Sequence, residues 1–242
     1  SIKRSKSKRI TVDPDSILDS YGADAARLFI LSDSPPERDL EWSESGIEGA
    51  WRFVNKLWRM VMDIDVTLPS LDEKPSDLGE TATKTRISIH KTARDVADDI
   101  DKFHINRAVA RCRELSNLLT ELDLNKKDEL WVYAEGVNFL LRLMNPIIPH
   151  VTEELWETLG HDTWLVETPW PQWDEALISQ DTITIAVQVN GKMRATITMA
   201  PDTSKEDVEK MALAEENVQR AIDGKPIRKV IVVPKKIVNV VI

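Results

Sequence analysis

The sequence predicts a mainly α protein: a bundle of amphipathic helices up to about residue 160, then a small α+β domain. Three observations carry this. Apolar residues recur at i, i+3, i+4 and i+7 in successive segments as far as Gly160. After Asp181 the period changes to alternation, in two runs that flank Asn190-Gly191, a strong short-range hairpin signal. The charge changes at the same place. Beyond residue 180 there are ten Lys and Arg against eight Asp and Glu, a net +2, which leaves −11 on the preceding 180 residues of a chain of net charge −9. Four segments are expected: 1–42, a loop with connecting helices; 43–160, the helical bundle; 161–180, a linker; and 181–242, the α+β domain.

The chain opens on Lys3-Arg4-Ser5-Lys6-Ser7-Lys8-Arg9, five cations interleaved with hydroxyls. Lysine meets phosphate as a compact point charge on a flexible stem, and serine hydroxyls add hydrogen bonds, so this basic loop is a candidate phosphate contact. The alternative is a solvated basic tail. Asp13-Pro14 then starts a helix, Asp as N-cap and Pro at the first helical position, and Gly22 ends it. Ala23 to Ser32 continue as a helix with Ala26, Phe29 and Ile30 at helical spacing, up to Pro35-Pro36. Ser43 caps a helix reaching about Ile64, with Ile47, Ala50, Trp51, Val54, Leu57, Trp58 and Val61 as its inward stripe. Arg52, Lys56 and Arg59 form a second stripe on it, either an ordinary solvated face or a ridge for a polyanion.

Residues 65–80 read as a loop and 80–103 as a long helix. The helix over 104–122 turns Ile105, Ala108, Val109, Cys112, Leu115, Leu118 and Leu119 inward, with Arg107 and Arg111 on an outward face. Another spans 127–144. Pro146 and Pro149 stop one helix and start the next, and His150 at that start reads as a hydrogen-bonding residue rather than a catalyst. An up-and-down bundle follows. Trp164, Pro169, Trp170, Pro171 and Trp173 mark the linker. In the last segment, strands 182–189 and 192–199 flank the hairpin turn. Ser204 caps a helix to about Ala214, with Asp207 at the capping-box position. A shorter helix over 217–223 ends at Gly224, and strands 227–233 and 236–242 complete the fold.

Several function classes are excluded. One cysteine, Cys112, forms no internal disulfide, which fits a reducing compartment. Four scattered histidines lack ligand spacing, so no metal site is expected. No Gly-rich phosphate loop is present, and no apolar run is long enough to span a membrane. The net charge of −9 argues against coating nucleic acid by bulk charge, while local basic patches remain available. Nothing here performs bond chemistry alone. A chain that begins with Ser inside a charged loop is expected to be the second part of something longer.

Lys3 to Ser7 resembles the KMSKS loop of class I aminoacyl-tRNA synthetases. Tyr21-Gly22-Ala23-Asp24, Ala26-Arg27-Leu28-Phe29, Asp39-Leu40-Glu41-Trp42, Gly46 to Ala50, Val187 to Lys192 and Pro226 to Pro234 resemble the leucyl-tRNA synthetase family of bacterial type. Pro146 to Trp156 is similar to a bundle motif shared across the Leu/Ile/Val/Met subgroup. The resemblance covers essentially the whole chain, and it implies a bundle of the class Ia anticodon-binding-domain type. It further implies that Lys3 and Lys6 are catalytic, neutralising charge on the leaving pyrophosphate, and that Lys3, Ser5, Lys6 and Ser7 hold ATP. ATP, with Mg2+, is a substrate of the full-length enzyme, and the segment alone is expected to bind no cofactor. The implied partner is tRNA(Leu), with leucine and ATP reached through the missing N-terminal part. DNA and membranes are not expected partners, and the expected state is a cytoplasmic monomer. Besides Arg52, Lys56 and Arg59, the implied tRNA contacts are Lys192, Arg194, Lys225, Arg228 and Lys229. Where the motif usually has Met stands Arg4, and Arg9 and Ile10 replace small or polar residues, adding charge that would tighten phosphate contact or slow loop opening. A free-standing tRNA-binding module and a purely structural helical scaffold are the competing readings.

Overall fold

Asp13 accepts a hydrogen bond from the Asp15 amide and starts the first helix with Pro14 in its first turn. The computed structural model describes residues 13–33, 42–179, 183–200, 203–234 and 236–242. Its elements fall in two units, 1–174 and 175–242.

In the first unit the helices are α1 (Pro14–Tyr21), α2 (Ala23–Asp33), α3 (Glu44–Met62), α4 (Glu80–Asp101), α5 (Ile105–Leu119), α6 (Lys127–Met144) and α7 (Pro149–Thr158). Helix α4 packs on α5 and α6, α5 on α6, and α2 on α3 and α5. Helix α6 is the hub. It is buried almost all round, as a helix surrounded by its neighbours must be. Gly136 is the point of closest approach there: a Cβ added to it would lie 2.3 Å from Leu119 Cδ2.

Four side chains lie differently from the sequence expectation. Trp51 and Trp58 are 44% and 37% exposed, while Phe53 and Met60 take the inward positions. The buried stripe of α3 therefore runs through Ile47, Ala50, Phe53, Leu57, Met60 and Val61, rotated from the expected one because the packed neighbours fix the inward face. Ile30 and Leu118 are exposed at 56% and 38%; Leu28 is fully buried in place of Ile30, and Leu119 is fully buried as expected. A run of apolar residues offers more inward candidates than one helix face can hold.

Arg107 is exposed on the outward face expected of it, while Arg111 is half-buried, and both are ion-paired. Arg111 donates from Nε to Asp99 Oδ2 at 2.6 Å and from Nη1 to Asp95 at 3.0 Å, and Arg107 lies 3.2 Å from Asp99. Asp99 is 1% exposed, and a buried carboxylate requires such partners. Cys112 sits in the core as expected, and burial pushes its thiol up to about 12.

Residues 161–174, expected as linker, pack on the bundle. Leu165 is buried in the core, and Trp170 and Trp173 lie against it. Glu153 accepts from the Leu165 and Val166 amides at 2.7 and 2.8 Å, which holds a 3-10 turn (Leu165–Glu167) in place. Arg142 donates to the Pro169 carbonyl. The Asp174 amide donates to His90 Nδ1 at 3.1 Å, leaving His90 Nε2–H to face Glu135, which Arg86 holds at 2.9 Å. Of the Trp and Pro residues that suggest a linker by composition, Trp170 and Trp173 are apolar surface that gains by burial, while Trp164 stays exposed.

The second unit opens with a short helix, α8 (Glu175–Ile178), and contains β1 (Ile183–Val189), β2 (Lys192–Met199), α9 (Lys205–Ala214), α10 (Glu216–Ile222), β3 (Lys229–Val233) and β4 (Ile237–Val241). The sheet order is β2-β1-β4-β3, antiparallel except where β1 runs parallel to β4. Asn190 and Gly191 both have positive φ, the conformation that a two-residue hairpin turn requires. The Ser204–Asp207 cap forms: the Asp207 amide donates to Ser204 Oγ at 3.1 Å, and the hydroxyl donates to the Asp207 carboxylate at 2.7 Å. Helices α9 and α10 cover one face, over a core of Ile185, Val187, Val189, Ile197, Val208, Val218, Val238 and Val240.

Candidate nucleic-acid interface

Helix α3 presents the first group of predicted cations. Arg52 is exposed and lies 3.5 Å from Glu48 one turn back. Arg59 is exposed and donates to the Asn55 carbonyl, with no carboxylate partner among the described residues. Lys56 differs. Its ammonium donates to Ser116 Oγ at 3.0 Å and Asn117 Oδ1 at 2.6 Å on α5, and partial burial holds it below the usual lysine range. It ties two helices together, and it lines a cavity of about 310 Å³ with Arg59, Leu119, Thr120 and Tyr133. The face that Arg52 and Arg59 share with Trp51, Asn55, Trp58 and Met62 mixes cations with exposed aromatic surface. Sequence reasoning missed that mixture, having turned both tryptophans inward.

The second group lies in the α+β unit. Lys192 begins β2, and Arg228 and Lys229 lead into β3, so all three lie at one end of the sheet. That end is closely tied. The Asn190 amide donates to the Val240 carbonyl at 2.9 Å, the Gly191 amide to Asn239 Oδ1 at 3.1 Å, the Ile242 amide to Asn190 Oδ1 at 3.2 Å, and the Arg228 amide to the Val241 carbonyl at 2.8 Å. With β2 and β3 on opposite edges of a four-stranded sheet, the cations bracket a span of roughly 14 Å at the usual strand spacing. Lys225 precedes them in the turn after α10, its amide bonded to the Ile222 carbonyl. Arg194 stands apart, on β2 beside α10.

None of Lys192, Arg194, Lys225, Arg228 and Lys229 has an ion pair or side-chain hydrogen bond among the described residues. In the bundle, by contrast, Lys84, Arg86, Lys102, Arg107 and Arg111 are each matched to a carboxylate. Arrays of unmatched cations on a chain of net charge −9 can meet an external polyanion without first breaking internal pairs. The remaining predicted residues, Lys3, Ser5, Lys6 and Ser7, together with Arg4, Arg9 and Ile10, lie outside the described residues, as do Asp39, Leu40 and Glu41.

At the start of α7, Asp24 accepts from the Val151 amide at 2.7 Å and from His150 Nδ1 at 2.8 Å, which is the hydrogen-bonding role expected of His150. Among the described residues, no helix is long and apolar enough to cross a membrane.

Residues 86–210 match the family described as anticodon-binding domain of tRNA ligase. The leucine–tRNA ligase of Paramagnetospirillum magneticum is 51% identical over 240 residues, 99% of this chain and 28% of its own length. That of Geobacter sp. is 42% identical over 246 residues, again 99% of this chain and 30% of its own. Among solved structures, an Agrobacterium radiobacter LeuRS in ternary complex with tRNA and LeuAMS superposes with a TM-score of 0.71 at 26% identity, covering 99% of this chain and 31% of that one. The chain thus spans under a third of the length of these relatives.

Proposed function

This chain belongs to the family of anticodon-binding domains of tRNA ligases, and we propose that it is the tRNA-docking, C-terminal part of a leucine–tRNA ligase. In that reading the substrate is tRNA(Leu), ATP and Mg2+ are used by the whole enzyme in the cytoplasm, and Lys3, Ser5, Lys6 and Ser7 form the loop that meets ATP. Lys192, Lys225, Arg228 and Lys229 contact RNA phosphates from the α+β unit, with Arg52 and Arg59 doing so from α3. Lys56 acts there chiefly as the tie between α3 and α5. The observation that carries the reading is the unmatched cation array at the Asn190-Gly191 end of the sheet, in a chain similar over its full length to leucine–tRNA ligases.

Phosphate contacts make affinity fall with salt, by a slope of about 0.7–0.9 in log–log units per neutralised phosphate. The test is tRNA(Leu) binding to the chain at 50 to 200 mM KCl, with Arg228→Glu/Lys229→Glu beside the wild type. The expected result is steep salt dependence, with affinity and slope both reduced in the double variant. Equal affinities for the two proteins would refute the role of the array and favour a structural scaffold. The chain alone should show no leucine-dependent ATP–pyrophosphate exchange, and exchange from a clean preparation would overturn the division of labour proposed here.

A further inference from the structure

Beside the sheet-end array, the α+β unit has a second cationic feature that periodicity does not disclose. The register of β1 on β2 shifts between Val187, which pairs Ala195, and Gln188, which pairs Met193. Arg194 is therefore the extra residue of a bulge, and a bulge re-aims the side chain it carries. Here Arg194 lines a cleft of about 430 Å³ with Met193 from β2 and Asn217, Arg220 and Ala221 from α10. Positions 217, 220 and 221 share one face of α10, while Val218 turns into the core. Arg220 is absent from the sequence-based candidates, because nothing in its local pattern shows that α10 packs along β2.

The chemistry of the cleft is anionic recognition. Two guanidinium groups and a carboxamide face the same space, and Met193, 60% exposed, adds an apolar wall. Arg194 has no partner among the described residues. Arg220 has one, Glu216, at 3.0 Å and one turn back. With side chains 74% and 83% exposed, this pair is weakly held and readily exchanged. A guanidinium fork matches a phosphate bidentately, which makes phosphate the better partner when it arrives.

We propose that Arg194, Asn217 and Arg220 form a second phosphodiester site for RNA on the α+β unit, and that Glu216 occupies Arg220 until RNA displaces it. The proposal rests on the tRNA-docking reading above and adds to it a site with a built-in competitor. The ligand is the RNA backbone, because Lys192, Arg228 and Lys229 on the same unit are unmatched cations suited to the same polyanion, and linked contacts along one backbone reinforce each other.

The test compares tRNA(Leu) binding by the full chain in wild type, Arg220→Ala, Arg194→Ala, Glu216→Gln and Lys210→Ala across 50 to 200 mM KCl. Lys210 is an exposed lysine on α9 that serves as the control. Arg220→Ala and Arg194→Ala should each weaken binding about 5- to 10-fold and lower the log–log salt slope by about 0.7–0.9, the change expected for one lost phosphate contact. Glu216→Gln should tighten binding several-fold, an effect that a merely structural role for the ion pair would not give. Lys210→Ala should stay within about twofold. Inorganic phosphate at 10 mM, at matched ionic strength, should not reproduce the effect of Arg220→Ala, since a free anion lacks the linked contacts. If it does reproduce it, the cleft is a free-phosphate site and the proposal fails. If Arg220→Ala and Glu216→Gln match Lys210→Ala while the wild type still binds RNA, this site falls and the docking reading stands. If an acidic protein binds through these arginines while RNA affinity is unchanged in every variant, the site is real and its assignment to RNA is wrong. Absence of RNA binding by the wild type would overturn both.

Discussion

Asp24 is a carboxylate at 7% exposure that stabilises a helix 126 positions away in the chain. It accepts from the Val151 amide at 2.7 Å, from His150 Nδ1 at 2.8 Å and, at 3.5 Å, from the His150 amide. Pro149 begins α7 and has no amide hydrogen to offer, so Asp24 serves the first two amides that the helix leaves free. Asp24→Ala orphans the Val151 amide in a buried setting. A hydrogen bond to a charged group is worth about 1.5–3 kcal/mol, and a carboxylate at a helix N-terminus adds about 0.3–1 kcal/mol. The expected destabilisation is therefore about 2–4 kcal/mol. Asp24→Asn keeps an acceptor oxygen but loses the charge, and should cost roughly half as much on the same scale. All eight tryptophans lie between residues 42 and 173, so tryptophan fluorescence during urea unfolding reports on the bundle unit alone. With m of about 2 kcal/mol/M, Asp24→Ala should lower the midpoint by about 1–2 M. A shift equivalent to less than about 0.5 kcal/mol would refute the capping role, as would equal losses in the two variants.

Two further predictions concern titratable groups. His161 stacks on Trp156 with ring centroids 3.5 Å apart, and burial, then the charge of Arg142, holds its pKa below the usual histidine value. The unfolded chain therefore binds the proton more readily, so stability should fall as pH drops through about 6.5 and level off below the folded-state pKa. His161→Phe keeps the stacking and should flatten that part of the profile in thermal melts, and an unchanged profile would remove His161 as the cause. Cys112, fully buried with its thiol pushed up to about 12, should resist a water-soluble disulfide reagent at pH 8 until urea unfolds the bundle. Stoichiometric labelling of the native chain would contradict the packing of α5.

Local signals specify the elements of this protein. Asp13-Pro14, Ser43, Ser204 with Asp207, and Asn190-Gly191 each carry the chemistry of a helix start or a turn within a few residues, and each forms as its residue types dictate. The change of hydrophobic period near residue 180 and the accompanying change of charge are equally local. The quoted motifs, read together, point to the family without any structure.

What tertiary structure decides is which of several permissible faces turns inward, and which distant groups meet. Periodicity places Trp51 in the core of α3, and only the neighbouring helices turn Phe53 inward in its place. Trp170 and Trp173 read as linker until a surface is available to cover them, and Glu153, Arg142 and His90 then bind the backbone around them. Arg111 reads as solvated until Asp99 faces it across the packing of α4 on α5. Arg194 and Arg220 share a cleft only because a one-residue bulge turns β2 beside α10. The physical reason is the range of the forces: caps and turns act over three or four residues, whereas burial and ion pairing act between groups that sequence separation does not order.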